Sequence, residues 1–116
     1  MRYRDKVVVV TGAANGIGRE YALAFAREGA AVALADIQGD GADAVAKEIA
    51  ATGATALGVQ VDVADEQSVI AMARSVVDEL GGVEVLVNNA GLHLGRYNET
   101  STLPVDEWRR ILDVNV

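Results

Sequence analysis

The chain contains no cysteine and a single histidine, His93. Neither a disulfide framework nor a thiolate metal site is possible, and a histidine cluster around a metal is excluded as well. No apolar run approaches the roughly 20 residues that a membrane span needs. The N-terminal Met1-Arg2-Tyr3-Arg4-Asp5-Lys6 leads only into Val7-Val8-Val9-Val10 before Thr11-Gly12 interrupts, which is too short for a secretory signal. Positive charge is scarce too. With 10 Lys and Arg against 17 Asp and Glu, the net charge is −7. Nucleic acid is therefore not a general partner, because phosphate binding needs clustered cations. The expectation from these absences is a soluble, cytoplasmic protein with no metal site, no membrane segment and no nucleic-acid function.

What is present is small and apolar. Hydrophobic residues make up 51% of the 116 and aromatic ones only 4%, with Ala, Val and Gly dominant. That composition suits close packing of helices on a sheet, and the length suffices for one modest domain with a real core. Short β-branched runs alternate with helical periodicity, which predicts an α/β fold with parallel strands and crossover helices. Strands are expected at Lys6–Val10, Ala31–Asp36, Thr55–Val61 and Val83–Val87. Helices are expected at Gly16–Glu28, with Ile17, Tyr21, Ala24 and Phe25 inward, and at Asp40–Ala51, with Ala42, Val45 and Ile49 inward. The clearest helix is Glu66–Leu80, where Val69, Met72, Ala73, Val76, Val77 and Leu80 follow the 3.6-residue period. Gly29, Gly53 and Gly81-Gly82 supply the stops. Beyond a polar loop at Leu92–Leu103, a last helix begins near Pro104. Its stripe of Trp108, Ile111, Leu112, Asn115 and Val116 is still amphipathic where the sequence ends. Right-handed crossovers give the strand order 3-2-1-4, with a crevice at the carboxyl ends of strands 1 and 4.

The connection that opens into this crevice reads Thr11-Gly12-Ala13-Ala14-Asn15-Gly16-Ile17-Gly18. Glycines between a strand and a helix let the main chain pass close to a diphosphate, where side chains would fill the space the phosphates need. Gly12 is expected to make the turn, Gly16 to admit the phosphates, and Gly18 to let the helix lie close on the sheet. A bland strand–helix connection is the alternative for this turn taken alone. The spacing is neither Gly-x-Gly-x-x-Gly nor a P-loop. Asp36 lies 18 residues after Gly18, near the spacing of an acid that accepts hydrogen bonds from an adenosine ribose. A 2′-phosphate ~4 Å from that carboxylate would be repelled by about 4 kcal/mol at an effective dielectric constant of 20, which points to NAD over NADP.

Three further groups follow in order: Asp62-Val63 after strand 3, Asn88-Asn89-Ala90-Gly91 after strand 4, and Asp113-Val114-Asn115-Val116 at the end. Together with the glycine turn and Asp36, they make the whole chain resemble the short-chain dehydrogenase/reductase family. The resemblance implies a Rossmann-type doubly wound parallel sheet, with residues 1–116 as the NAD-binding portion of a single-domain enzyme. It places Gly12, Asn15, Gly16, Ile17 and Gly18 along the cofactor. Relatives that prefer NADP carry a basic residue where this chain has Asn15 or Ile37. Asp62 would accept from the adenine amino group and Val63 would offer its N–H to the ring, although a turn or cap role also fits Asp62. Asn89 would lie against the cofactor while Ala90 and Gly91 keep the wall thin, or the motif is simply a turn. Asn115 is the catalytic candidate, its main-chain carbonyl holding a water in a proton relay; a satisfied structural amide on the buried stripe is the other account. His93 and Tyr97 in the polar loop read more simply as solvated residues, and Trp108 as core.

The family's hydride transfer uses a serine and a Tyr-x-x-x-Lys pair. The tyrosines here are Tyr3, Tyr21 and Tyr97, the lysines Lys6 and Lys47, and no tyrosine precedes a lysine by four. The expectation is the cofactor-binding half of a longer NAD-dependent enzyme acting on a carbonyl or secondary alcohol. That half would be inactive alone, with its fourth strand an exposed apolar edge and the parent a homo-oligomer, either dimer or tetramer. The rival is a stand-alone dinucleotide-binding or sensing module. A nucleotide-sugar epimerase of the family's longer branch would show Gly-x-x-Gly-x-x-Gly instead.

Overall fold

The computed structural model describes residues 3–87. Strands β1 (Val7–Thr11), β2 (Ala31–Asp36), β3 (Ala56–Gln60) and β4 (Val85–Val87) alternate with helices α1 (Gly16–Arg27), α2 (Gly39–Ala50) and α3 (Glu66–Leu80). The four strands form one parallel sheet in the order β3-β2-β1-β4. The order and the crossover helices agree with the sequence reading, and the element ends shift by one or two residues. β1 runs one residue later than expected, and β4 begins at Val85 because Val83 and Glu84 belong to the turn out of α3.

Alternation along the buried strands builds two cores. Val8 and Val10 of β1 and Val32 and Leu34 of β2 face α1 and α2, meeting Ala22, Ala42, Val45, Ala46 and Ile49. Val7, Val9, Ala33 and Ala35 point to the other face, where α3 supplies Val69, Met72 and Val76. With both faces covered, β1 and β2 bury nearly every residue, as their unbroken apolar runs require. Gly29, Gly53 and Gly81 take left-handed conformations behind the three helices, with φ of 94°, 95° and 93°, as their positions in the sequence suggested. Asp65 caps α3, its side chain accepting from Gln67 N–H at 3.0 Å.

One expectation about α1 is corrected. Ile17 and Tyr21 do not point inward: they are 64% and 43% exposed, and Ala24 is exposed as well. The helix instead buries Gly18 and Ala22, with Leu23, Phe25 and Ala26 partly covered against the core. The buried stripe is rotated by about one residue from the large side chains toward the small ones. Closeness of approach, not side-chain size, decides which face of α1 meets the sheet. Phe25 keeps its inward place, packed edge-on against Tyr3 at a ring separation of 5.0 Å.

β4 is tied to β1 by more than the ladder. Glu84 N–H donates to the Val7 carbonyl at 2.9 Å, and Val7 N–H donates to Glu84 Oε2 at 2.7 Å. The carboxylate thus satisfies the first amide of a strand whose Val7 is 6% exposed. Glu84→Ala is expected to lower stability by about 1 kcal/mol, and Glu84→Gln, which keeps an acceptor, by less than half of that. Urea denaturation of the native protein and the two variants checks this, and a Glu84→Ala midpoint equal to the native one would show that the bond contributes nothing. Among the described residues no helix is long and apolar enough to cross a membrane.

Candidate functional site

The carboxyl ends of β1, β2 and β3 lie side by side, and among the described residues Gly12, Asn15, Gly16, Ile17, Gly18, Asp36, Asp62 and Val63 follow directly on or close those strands. The chain leaves β1 at Thr11, whose hydroxyl donates to the Val87 carbonyl at 3.4 Å and so ties β1 to the end of β4. Gly12 and Gly16 adopt φ of 67° and 61°, a region open to glycine at little cost. Between them the turn is fastened to the end of β2. Ala13 N–H donates to the Ala35 carbonyl at 3.3 Å, and Ala14 N–H donates to Asp36 Oδ2 at 2.9 Å. Asp36 Oδ1 accepts from Gln38 N–H, also at 2.9 Å. Asp36 is thus aimed at the glycine turn and is 9% exposed.

The opening of α1 contrasts with that of α3. Asn15, in the N-cap position, has an extended backbone and makes no side-chain capping bond, whereas Asp65 caps α3. The first N–H groups of an α-helix have no partner within the helix and carry the positive end of its dipole. A Cβ built on Gly16 would meet nothing within 4 Å, so there is open space beside the first residue of α1. Ile17 beside it is exposed. Gly18 is buried and sits on the sheet side of the helix. The arrangement can receive an anion whose oxygens reach main-chain N–H groups.

The neighbouring strand ends complete the rim. Val61 N–H donates to the Asp36 carbonyl at 2.9 Å, and the Gln60 side-chain amide donates to the Ile37 carbonyl at 3.2 Å. Asp62 is exposed and forms a local turn, Oδ1 accepting from Ala64 N–H at 3.0 Å while its own N–H donates to Ser68 Oγ at 2.9 Å. The turn role left open for Asp62 is therefore real, and it engages one carboxylate oxygen. Ile37 is 59% exposed and Val63 half-buried, so apolar surface flanks the acid on this rim. Asn89, Ala90, Gly91 and Asn115 lie outside the described residues, as do His93, Tyr97, Trp108 and the helix expected from Pro104.

Two features escaped the sequence reading. Arg19 of α1 makes a two-pronged ion pair with Glu48 of α2, bracing the helices on the solvent side; a pair 29 residues apart leaves no local pattern to find. Gly41 lies where an added Cβ would come within 2.9 Å of Ala14 Cβ, so the first turn of α2 presses on the glycine turn. A groove of about 770 Å³ also opens at the opposite, amino end of the strands, lined by Lys6, Arg27, Thr52 and Thr55 among others. It lies a strand's length from the glycine turn and takes no part in this site.

The family described as short chain dehydrogenase matches residues 6–116. Meso-2,3-butanediol dehydrogenase of Serratia marcescens is 44% identical over 117 residues, spanning 100% of this chain and 45% of the relative. The 7alpha-hydroxysteroid dehydrogenase of Escherichia coli (strain K12) is 38% identical over 116 residues, 100% of this chain and 44% of its own length. A solved 7 alpha-hydroxysteroid dehydrogenase, complexed with NADH and 7-oxo glycochenodeoxycholic acid, superimposes with a TM-score of 0.87 at 32% identity, covering 98% of this chain and 49% of that one. The chain thus spans a little under half the length of these two curated relatives.

Proposed function

We propose that this chain, which belongs to the short chain dehydrogenase family, is the NAD-binding portion of an oxidoreductase acting on a carbonyl or secondary alcohol. The observation that carries the reading is the uncapped start of α1 beneath open space at Gly16, next to a carboxylate at the end of β2. The main-chain N–H groups at the start of α1, from Gly16 to Gly18, would hold the diphosphate, and Asp36 the adenosine ribose. Asp62 and Val63 would flank the adenine, with Asn89, Ala90 and Gly91 along the far wall. NAD, when bound, supplies the hydride acceptor. The chain's own residues orient the dinucleotide and keep a 2′-phosphate out. In the same reading, Asn115 holds the relay water through its main-chain carbonyl. The serine and the Tyr-x-x-x-Lys pair are not among these residues, so turnover would need more than this chain. Cytoplasmic location and assembly of the whole protein as a dimer or tetramer belong to this reading too.

Each oxygen of Asp36 accepts one main-chain hydrogen bond, and a carboxylate has about four acceptor positions in all. One position on each oxygen therefore serves a ribose hydroxyl. A phosphate brought to the same place meets the like charge of the carboxylate. The test is a titration of NAD against NADP by calorimetry. NAD is expected to bind at least about tenfold more tightly, equivalent to ~1.4 kcal/mol. Equal affinities, or a preference for NADP, would remove Asp36 from the ribose. Failure to bind either dinucleotide would favour a fold that has lost its coenzyme.

A further inference from the structure

We propose that Asp36 is also a positioning residue for the glycine turn: its carboxylate, bonded to Ala14 N–H and Gln38 N–H, fixes the turn in its anion-receiving shape before any nucleotide arrives. The inference rests on the reading of that turn as the diphosphate site, and it assigns the acid a task separate from contact with a sugar.

The geometry supports the clamp from three directions. Ala14 lies midway between Gly12 and Gly16, both at positive φ, so without an anchor this stretch has more conformational freedom than any other in the loop. Asp36 Oδ2 takes its N–H at 2.9 Å, and the adjacent Ala13 N–H is taken by the Ala35 carbonyl at 3.3 Å. Two consecutive amides are thus turned toward β2, which leaves the following ones to open α1 on the other side. The methyl of Ala14 rests against Gly41 at the start of α2. Through its other oxygen, Asp36 holds Gln38 N–H just ahead of that helix. One side chain therefore joins the turn after β1 to the turn after β2, and the two N–H donors converge on a group that is 9% exposed.

The substitution series follows from the donors. A carboxylate accepts from both N–H groups. An asparagine presents one oxygen and one NH₂, so it keeps one bond and sets a donor against a donor at the other. An alanine keeps neither. The order of turn rigidity is therefore Asp, then Asn, then Ala.

The experiment compares the native protein with Asp36→Asn and Asp36→Ala, using inorganic pyrophosphate as a probe with no ribose, NAD as a probe with one, and amide hydrogen exchange of the free protein. Removing a negative charge would by itself tighten pyrophosphate binding, so a loss of affinity is diagnostic of a loosened turn. Pyrophosphate affinity is expected to fall at least about fivefold in Asp36→Ala and by less in Asp36→Asn, with exchange at Ala14 rising about tenfold or more. Unchanged or tighter pyrophosphate binding, with loss of NAD binding alone, would overturn the clamp and leave Asp36 as a ribose ligand only. Free exchange at Ala14 in the native protein would overturn it without any variant, even where Asp36→Ala does not fold. A native protein that binds neither probe would refute the coenzyme reading, while Ala14 exchange would still decide the clamp.

Discussion

Gly58→Val is expected to destabilise the fold by about 3 kcal/mol or more, and Gly58→Ala by about 2 kcal/mol, through overpacking. Gly58 sits in β3 opposite Leu34 of β2 and therefore faces α2. A Cβ built there would lie 2.9 Å from both the Cα and the N of Asp43. The obstacle is helix backbone, which cannot swing away as a side chain would. To admit one methyl group, α2 must lift from the sheet, and its buried stripe of Ala42, Val45, Ala46 and Ile49 lifts with it. Alanine recovers about 0.5–1 kcal/mol of chain entropy relative to glycine, which is less than the clash removes. Gly82→Ala is the control, because a Cβ there meets nothing within 4 Å; its stability should stay within about 0.5 kcal/mol. In urea denaturation, at a slope of about 1 kcal/mol per molar, the Gly58→Val midpoint should fall by roughly 3 M or more. A shift no larger than the control's would mean that α2 and β3 are not in such close contact.

That contact illustrates what the chain does and does not announce. The strand runs, the helix stops and the order β3-β2-β1-β4 follow from hydrophobic period, glycine placement and the handedness of crossovers. A glycine inside the run Thr55–Val61 also signals the close approach of something, yet nothing local says that it is Asp43. The expected inward face of α1 failed for a related reason. Ile17 and Tyr21 look like core residues by size, and only the sheet beneath the helix makes Gly18 and Ala22 the better fit. The candidate site was legible as a set of strand ends carrying Gly12, Gly16, Asp36 and Asp62. The bond from Ala14 to Asp36 was not. It joins residues 22 apart, and its donor is main chain, which leaves no trace in residue identity.

Gly16→Ala separates folding from binding, with the larger effect on binding. The residue has φ of 61°, where an L-residue is strained by about 1–2 kcal/mol, so stability should drop by that amount and no more. The added methyl meets no protein atom within 4 Å and therefore adds no clash to the fold. It takes up open space at the first residue of α1, where the proposed diphosphate must come within hydrogen-bonding distance of the main chain. NAD affinity should fall at least about a hundredfold, equivalent to ~2.7 kcal/mol. Gly53→Ala supplies the matching control, since Gly53 has φ of 95° and equally open surroundings. It lies at the amino end of β3, remote from the glycine turn. The two variants should lose similar stability by thermal denaturation, and only Gly16→Ala should lose the dinucleotide by calorimetry. If both retain NAD equally, the diphosphate does not lie against Gly16 and the anion-receiving role of α1 is wrong. If Gly53→Ala also loses NAD, the loss follows from backbone strain spread through the fold and not from space taken at the helix start.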